Sequence, residues 1–205
     1  MTLDEMIDRI EFSVTHRQLR VAEAMTTEFL NECSASQLKE SGYAVLSVVV
    51  SYFETIAQFL NGEESDGRSK KFFSQGYRAV YPVIGLADAD IERVYKVIRC
   101  GMYHGGMPKL GTHLSRYFPV GFALAGMDIH INPGRVVVEI GQHFAAYIAE
   151  LRDPANTVKR SNFEKLCFQI GVNQTIQDSV PTGSSTTSLA STTPATWHPG
   201  DGKLH

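Results

Sequence analysis

The segment Tyr43-Ala-Val-Leu-Ser-Val-Val-Val-Ser-Tyr-Phe-Glu-Thr-Ile-Ala-Gln-Phe-Leu60 is the most apolar part of this chain of 205 residues. Its run of valines at residues 48–50 would suit a strand. The whole segment, however, lacks Gly and Pro and is about three times as long as a typical strand. We therefore predict a buried central helix that ends at Asn61-Gly62.

Apolar residues also recur at helical spacing on both sides of this segment. Thr2 and Glu5 form the pattern of a capping box, which predicts a first helix of about a dozen residues. A second helix is predicted from His16 to Glu32. Another begins in the basic run at residues 68–71 and stops at Pro82.

A further helix is predicted after Asp88 and Asp90, which are candidates for its N-cap. Its apolar residues are spaced from Ile91 to Met102, and Gly105-Gly106 is the expected stop signal. Together these helices predict a helical core over about residues 3–105.

The pattern changes after residue 126. Apolar and polar residues alternate over residues 127–131 and 135–140, around Asn132-Pro133-Gly134, a sequence typical of a β-turn. We therefore predict a β-hairpin over residues 127–140. Helical spacing returns over residues 142–171 and breaks at Asp153-Pro154. We expect His130, in the hairpin, and His143, in the helix after it, to face solvent.

The last part of the chain, residues 174–205, is rich in Ser, Thr, Pro and Gly and has few apolar residues besides Trp197. Such a composition cannot repay the entropy of ordering. We predict one folded domain over residues 1–173, mainly α-helical with one β-hairpin, followed by a disordered tail over residues 174–205.

Composition narrows the function classes. The net charge of −3 and the pI near 6.2 give no general basic field, so any contact with RNA would be local. The cysteines at positions 33, 100 and 167 are far apart and predict reduced thiols. The acidic, amphipathic N-terminus is unlike a signal peptide, and no apolar run predicts a membrane span. We expect a cytoplasmic protein that does not engage a membrane.

The residues with the clearest chemical potential are Arg99 and His104, which are five positions apart near the end of the helix that stops at Gly105-Gly106. A guanidinium can hold a phosphate through two hydrogen bonds, and an imidazole can transfer protons near neutral pH. On a regular helix five steps separate the two side chains by about 140°. Bringing them together requires fraying at Gly105 or a second copy of the chain.

Structural interpretations compete with this one. His104 can interact with the carbonyls and dipole at the helix end, and Arg99 can form a surface ion pair with Glu92 or Asp90. Cys100 and His104 share a helix face, and with His113 they form a weak pattern for zinc. No Walker, GxGxxG or GxSxG motif is present, and we expect neither a cofactor nor a metal.

Two neighbours of this pair have their own alternatives. Glu54 lies in an apolar stretch and would be costly to bury alone, so it either pairs with Arg99 or lies on an exposed stripe. Tyr103 either contacts RNA, by stacking on a base or donating to a phosphate, or packs in the core.

The string Arg99-Cys100-Gly101-Met102-Tyr103-His104-Gly105, late in a helix that follows a long apolar one, resembles the Arg-x4-6-His signature of the HEPN superfamily. The resemblance covers residues 3–105, with the hairpin and later helices as an extension. It implies an antiparallel helical bundle that homodimerises. Many members of that family are metal-independent endoribonucleases in toxin, antiviral defence or RNA-processing systems, and others are inactive binding modules.

Carried over to this chain, the resemblance makes His104 the general acid or base at the ribose 2′-hydroxyl and Arg99 the group that stabilises the scissile phosphate. The product would end in a 2′,3′-cyclic phosphate. Glu54 would orient Arg99 or His104, as acidic residues on the preceding helix often do in the family. Cys100 departs from the family pattern, in which active members usually have Asn, Asp or His directly after the Arg.

Two function classes follow. The first is a homodimeric endoribonuclease that acts on RNA, with an antitoxin or a nucleotidyltransferase as a possible partner. The second is a catalytically inactive HEPN-like interaction and dimerisation module. The enzyme requires solvent access for Arg99 and His104, whereas the module predicts that both are engaged in fixed internal pairs.

Overall fold

The computed structural model describes residues 1–30, 41–82 and 86–172. The fold is mainly helical, with one small sheet, and the described residues belong to one compact unit. The helices are α1 (Leu3–Val14), α2 (Arg20–Leu30), α3 (Gly42–Val49), α4 (Tyr52–Asn61), α5 (Ser69–Val80), α6 (Asp88–Val94), α7 (Cys100–Gly105), α8 (Pro133–Arg152) and α9 (Thr157–Gln169). The strands are β1 (Thr112–Leu114), β2 (Phe122–Ala125) and β3 (Asp128–Ile131).

The first helix begins as its sequence predicts. The Thr2 hydroxyl accepts a hydrogen bond from the Glu5 amide, and the Glu5 carboxylate accepts one from the Thr2 amide, so the capping box is complete. A π-helical turn, Thr15–Leu19, joins α1 to α2. The predicted second helix is therefore confirmed as far as Leu30, and its predicted end at Glu32 lies outside the described residues.

The central segment is helical, as predicted, but it is divided into α3 and α4. Val50 and Ser51, between them, keep near-helical backbone angles. The segment ends at Gly62, whose φ of 67° is left-handed. By length and composition, residues 42–61 are the one described helical run that could cross a membrane, and 56% of its apolar window is buried inside the fold, as in the core helix of a soluble protein.

The core is centred on Phe53 of α4, which is fully buried. Its ring contacts aromatic rings from α5, from the residue after α5 and from β2, with centroid separations of 5.2–6.0 Å: Phe73, Tyr77, Tyr81 and Phe122. The two helices approach closely because Gly76 of α5 has no side chain. A Cβ at that position would lie 1.7 Å from the Phe53 carbonyl oxygen.

The helix that carries Arg99 and His104 runs from α6 through a π-helical turn, Tyr95–Arg99, into α7. Asp88 and Asp90 lie in its first turn, where a negative charge suits the helix dipole. The N-cap is Ala87, so the prediction of an aspartate cap was wrong. The stop is confirmed, because Gly106 caps the helix in the left-handed conformation.

The predicted hairpin over residues 127–140 is wrong in its second half. β3 pairs in antiparallel fashion with the preceding strand β2 and in parallel with β1, giving the order β1-β3-β2. The hairpin therefore turns at Gly126-Met127. Asn132 is the N-cap of α8, with its side chain accepting a hydrogen bond from the Arg135 amide, and Pro133 occupies the first helical turn.

The error arose because the apolar residues at 135–140 fit both the two-residue repeat of a strand and the 3.6-residue repeat of a helix. Val136, Val137 and Ile140 are buried, and the same apolar face continues one turn later at Phe144. Spacings of three and four residues therefore outweigh the short alternation once the whole 20-residue helix is considered. The break at Asp153-Pro154 and the last helix are as predicted.

The two histidines expected to face solvent are partly covered. The Tyr52 hydroxyl lies 2.9 Å from His143 Nδ1, so His143 turns toward the core, and that prediction was wrong. His130 stacks on His113 of the neighbouring strand, with ring centroids 5.1 Å apart. Cys33 and the predicted disordered tail, residues 174–205, lie outside the described residues.

We predict that Gly76→Ala destabilises the protein by about 3 kcal/mol or more, since the new methyl group must push α4 and α5 apart. Urea denaturation measures the effect. Gly141→Ala is the matched control, because Gly141 lies inside α8 and a Cβ there meets nothing within 4 Å. We expect that substitution to stabilise the fold by about 0.5–1 kcal/mol. Equal effects of the two substitutions would contradict the close contact at Gly76.

We also predict that His143 makes the fold sensitive to mild acid. Burial lowers the pKa of His143 below its ordinary value of 6.5. Between about pH 7 and pH 5 the unfolded chain therefore binds a proton at this residue before the folded chain does, and the free energy of unfolding decreases as the pH falls. We expect His143→Gln to lose less stability over this range than the wild type in urea titrations. His16→Gln, at an exposed position, should retain the wild-type slope.

Candidate functional site

The candidate site is built on the helical run that includes the π turn and α7, where it passes α4. Arg99 ends the π turn and His104 is the penultimate residue of α7. Glu54, in the first turn of α4, is held opposite Arg99 because its neighbour Phe53 is fixed in the core. The chain thus brings an arginine and a carboxylate from distant positions into contact.

Arg99 forms an ion pair with Glu54, as the sequence predicted. Arg99 Nη2 lies 3.0 Å from Glu54 Oε2, and the side chains are only 20% and 11% exposed. Neither of the alternative partners is used, because Glu92 pairs with Lys70 and Asp90 pairs with Arg93. Removing one partner of a largely buried pair such as this lowers the free energy of unfolding more than removing one partner of an exposed pair.

Ser65 completes this arrangement from the loop after α4. Its hydroxyl donates a hydrogen bond of 2.5 Å to Glu54 Oε1, so the two oxygens of the carboxylate have separate partners. Ser65 is itself buried. No motif in the sequence singled out this serine, because its role depends on the path of the loop and not on its neighbours in the chain.

Aromatic rings enclose the guanidinium from both sides along the helix. The Arg99 Cζ atom lies 4.6 Å from the ring centre of Tyr103 and 5.9 Å from that of Tyr95. Tyr103 is 75% exposed, so the prediction that it packs in the core is wrong. It is instead a surface ring that a nucleobase can reach.

Cys100 has a half-buried, free thiol next to Tyr95. Burial, and a hydrogen bond with Cys100, raise the pKa of Tyr95, while the charge of Arg99 acts in the opposite direction. The residue that departs from the HEPN pattern therefore contacts a tyrosine. Sequence reasoning did not identify Tyr95, although its spacing of four residues from Arg99 places it on the same helix face.

His104 is exposed, and its ring meets Tyr103 edge-on with centroids 5.7 Å apart. It lines an open groove of about 520 Å³ together with Cys100, Met107, Pro108, Lys109 and Leu110. The groove forms because the chain returns past Gly101 after α7, and a Cβ on Gly101 would lie 2.9 Å from the Met107 carbonyl oxygen. A glycine inside a helical pattern is the signal that could have predicted this close return.

The structure does not bring Arg99 and His104 together within one chain. The helix continues through Gly105 without fraying, so the two side chains keep the angular separation of about 140° that five helical steps impose. Among the described residues, no hydrogen bond or ion pair joins them. Fraying as the route to a joint site was therefore a wrong expectation.

Cys100, His104 and His113 do not form a metal-ligating cluster. Over residues 1–30, 41–82 and 86–172, no group of three or more His, Cys, Asp or Glu side chains is arranged to hold a metal ion. His113 instead stacks on His130 and lies 3.6 Å from Asp128 through Nε2.

Comparison of this chain with protein-family models, curated proteins and solved structures gives no match.

We predict that the pair of Arg99 and Glu54 is coupled in stability. Arg99→Met and Glu54→Gln should each lower the free energy of unfolding by about 1–3 kcal/mol, because each leaves a sheltered partner unpaired. The double variant should lose at least about 0.5 kcal/mol less than the sum of the two. Urea denaturation of all four proteins gives the coupling energy.

The exposed pair of Arg68 and Glu63 provides the control for this cycle. Its side chains are 43% and 41% exposed, and its N–O distance is 3.2 Å. Its coupling in the cycle of Arg68→Met and Glu63→Gln should lie below about 0.5 kcal/mol. Additive losses at Arg99 and Glu54 would contradict the assignment of a sheltered, stabilising pair.

Proposed function

We propose that this protein is a HEPN-type, metal-independent endoribonuclease that acts as a homodimer and leaves 2′,3′-cyclic phosphate ends. The observation that supports this most is an exposed His104, which forms no hydrogen bond or ion pair with a described residue, on the same helical run as a partly exposed Arg99 that Glu54 holds in place. These are the two groups that cleavage by the ribose 2′-hydroxyl requires, a proton acceptor and a fixed positive charge.

Arg99 retains donors for a phosphate although it is paired. A guanidinium has five N–H groups, and the hydrogen bond to Glu54 uses Nη2. The carboxylate and the two tyrosine rings restrict the side chain to one orientation. A cation fixed in this way stabilises a developing phosphorane without the cost of reorganising first.

A second copy of the chain would close the gap between Arg99 and His104. A two-fold axis places the same helix of each copy next to the other, so residues on different sides of α7 can line one cleft. Tyr103, Met107 and Leu110 are exposed apolar side chains in this region. Their burial would favour such an association.

The reaction itself balances without any further reagent. His104 accepts the proton of the 2′-hydroxyl, and the 2′-oxygen attacks phosphorus while the bond from phosphorus to the 5′-oxygen breaks. The 5′-oxygen takes up a proton from an imidazolium or from water. Arg99 interacts with the non-bridging oxygens, whose negative charge increases in the transition state.

The cellular role that fits this activity is that of a toxin or an antiviral defence nuclease in the cytoplasm, acting on RNA. An antitoxin or a nucleotidyltransferase would be its protein partner. These roles are part of the proposal and follow from the HEPN resemblance.

The ion pair also supports a second candidate, a catalytically inactive HEPN-like interaction and dimerisation module. In that case Arg99 is a structural residue, fixed by Glu54, which accepts a second hydrogen bond from Ser65, and Cys100 marks the loss of chemistry. The two candidates differ at His104, which is exposed and forms no hydrogen bond or ion pair with a described residue.

We predict that the purified protein cleaves cellular RNA in the presence of EDTA and leaves cyclic phosphate ends. His104→Ala should lower the cleavage rate at least about 100-fold, since it removes the proton acceptor. Arg99→Lys should cause a loss of similar order, because the ammonium keeps its pairing with Glu54 but lacks the planar fork. End-group analysis of the products detects the cyclic phosphates, and sedimentation of the same protein sample determines whether it is a dimer.

His16→Ala is the matched control, since it removes an exposed histidine from another surface. It should cleave RNA like the wild type. Cleavage that persists in His104→Ala would refute the assignment of the base. No cleavage by a folded, dimeric wild-type protein would favour the interaction module.

A further inference from the structure

We infer that the cleft between α5 and α6 binds a guanine nucleotide, and that this is the nucleotide next to the scissile phosphate. The placement next to the cleavage point rests on the proposed function, whereas the ligand chemistry rests on the cleft. The cleft has a volume of about 420 Å³, within the range of small-ligand sites. It is lined by Lys70, Ala89, Glu92, Arg93, Tyr95 and Lys96.

The charges in the cleft favour a phosphorylated ligand although the whole chain is acidic. Three cations line the cleft with one carboxylate, and a second carboxylate, that of Asp90, pairs with one of the three, Arg93. Arg93 already has partners within the fold, because both of its Nη atoms donate to the Gly126 carbonyl. Lys96 is exposed and forms no ion pair with a described residue, so it is the group available to a phosphate.

Glu92 can be released from its present partner. Lys70 Nζ lies 3.0 Å from Glu92 Oε2 across the cleft, and both side chains are about half exposed. Such a pair contributes little to stability in water and is readily opened by a competing ligand. Its two members would then contact separate parts of a nucleotide.

A carboxylate in a nucleotide site selects for the base. Two carboxylate oxygens can accept hydrogen bonds in parallel from two neighbouring donors. Among the four RNA bases, guanine presents such a pair, at N1 and at the 2-amino group, whereas adenine and cytosine offer an amino group beside an acceptor. Tyr95, at the edge of the cleft, supplies a ring on which the base can stack.

The cleft shares one residue, Tyr95, with the candidate active site. Tyr95 lines the cleft, and its ring is also the one that lies 5.9 Å from the Arg99 Cζ atom. Tyr95 and Arg99 are the first and last residues of the π-helical turn, and the 5.9 Å between the ring centre and the guanidinium carbon is a distance that one nucleotide can span. A strand of RNA with its scissile phosphate at Arg99 would therefore place a neighbouring base at Glu92.

The test is an NMR titration of the full chain with guanosine, inosine and adenosine 5′-monophosphates. We expect GMP to shift the amide signals of residues 92–96 and to bind at least ten times more tightly than AMP. IMP lacks the 2-amino group and should bind with intermediate affinity. Glu92→Gln should remove the preference for GMP, and Lys96→Ala should weaken all three ligands equally.

Glu150→Gln is the matched control, because it also removes an exposed glutamate from a lysine pair, here with Lys159 on another surface. It should bind GMP like the wild type. Equal binding of the three nucleotides, or shifts confined to other regions, would overturn the guanine assignment. Tighter binding of GTP than of a 2′-O-methylated guanosine dinucleotide would overturn the RNA assignment in favour of a free nucleotide.

RNA cleavage measured in parallel separates this inference from the proposed function. Cleavage with no preference for guanine beside the cut would refute the cleft assignment and leave the nuclease intact. Specific GMP binding in a protein that cleaves no RNA would support the guanine site and refute the nuclease. His104→Ala should bind GMP like the wild type in either case, because His104 lines a different groove.

Discussion

The structure depends most on the contact between α4 and α5 at Phe53 and Gly76. The missing side chain at Gly76 lets the two helix backbones approach, and the aromatic rings around Phe53 then close over the contact from α5 and β2. Dense packing of this kind leaves α4 with one rotational setting. This contact therefore sets the direction in which the other side chains of α4 point.

Glu54 is the clearest case. Because Phe53 is buried, the next side chain is turned toward the helical run that carries Arg99, where Ser65 and the guanidinium satisfy both of its oxygens. The cost of sheltering a carboxylate is thereby offset by two charge-assisted hydrogen bonds. The same contacts restrict Arg99, which suits both a preorganised phosphate site and a purely structural ion pair.

His104 is the residue at which the two candidate functions differ. It belongs to the same helix as Arg99 but has the opposite environment, since it is exposed in a groove with Lys109 and has no fixed partner among the described residues. The helix thus has a rigid, paired arginine and an accessible histidine, and the cleft at Lys96 shares Tyr95 with the surroundings of the arginine.

The sequence by itself determined the elements whose signals are local: the capping box at Thr2, the helix stops at Gly62 and Gly106, and the helical character of the apolar segment. It also identified the pairing of Glu54 with Arg99, because a carboxylate among apolar residues requires a partner. The prediction of a hairpin over residues 127–140 was wrong, since the short apolar pattern at residues 135–140 fits both a strand and the buried face of α8. Only the tertiary structure decided between a strand and a helix for these residues and brought Ser65 to the Glu54 carboxylate, because those outcomes depend on which surfaces meet after the chain folds.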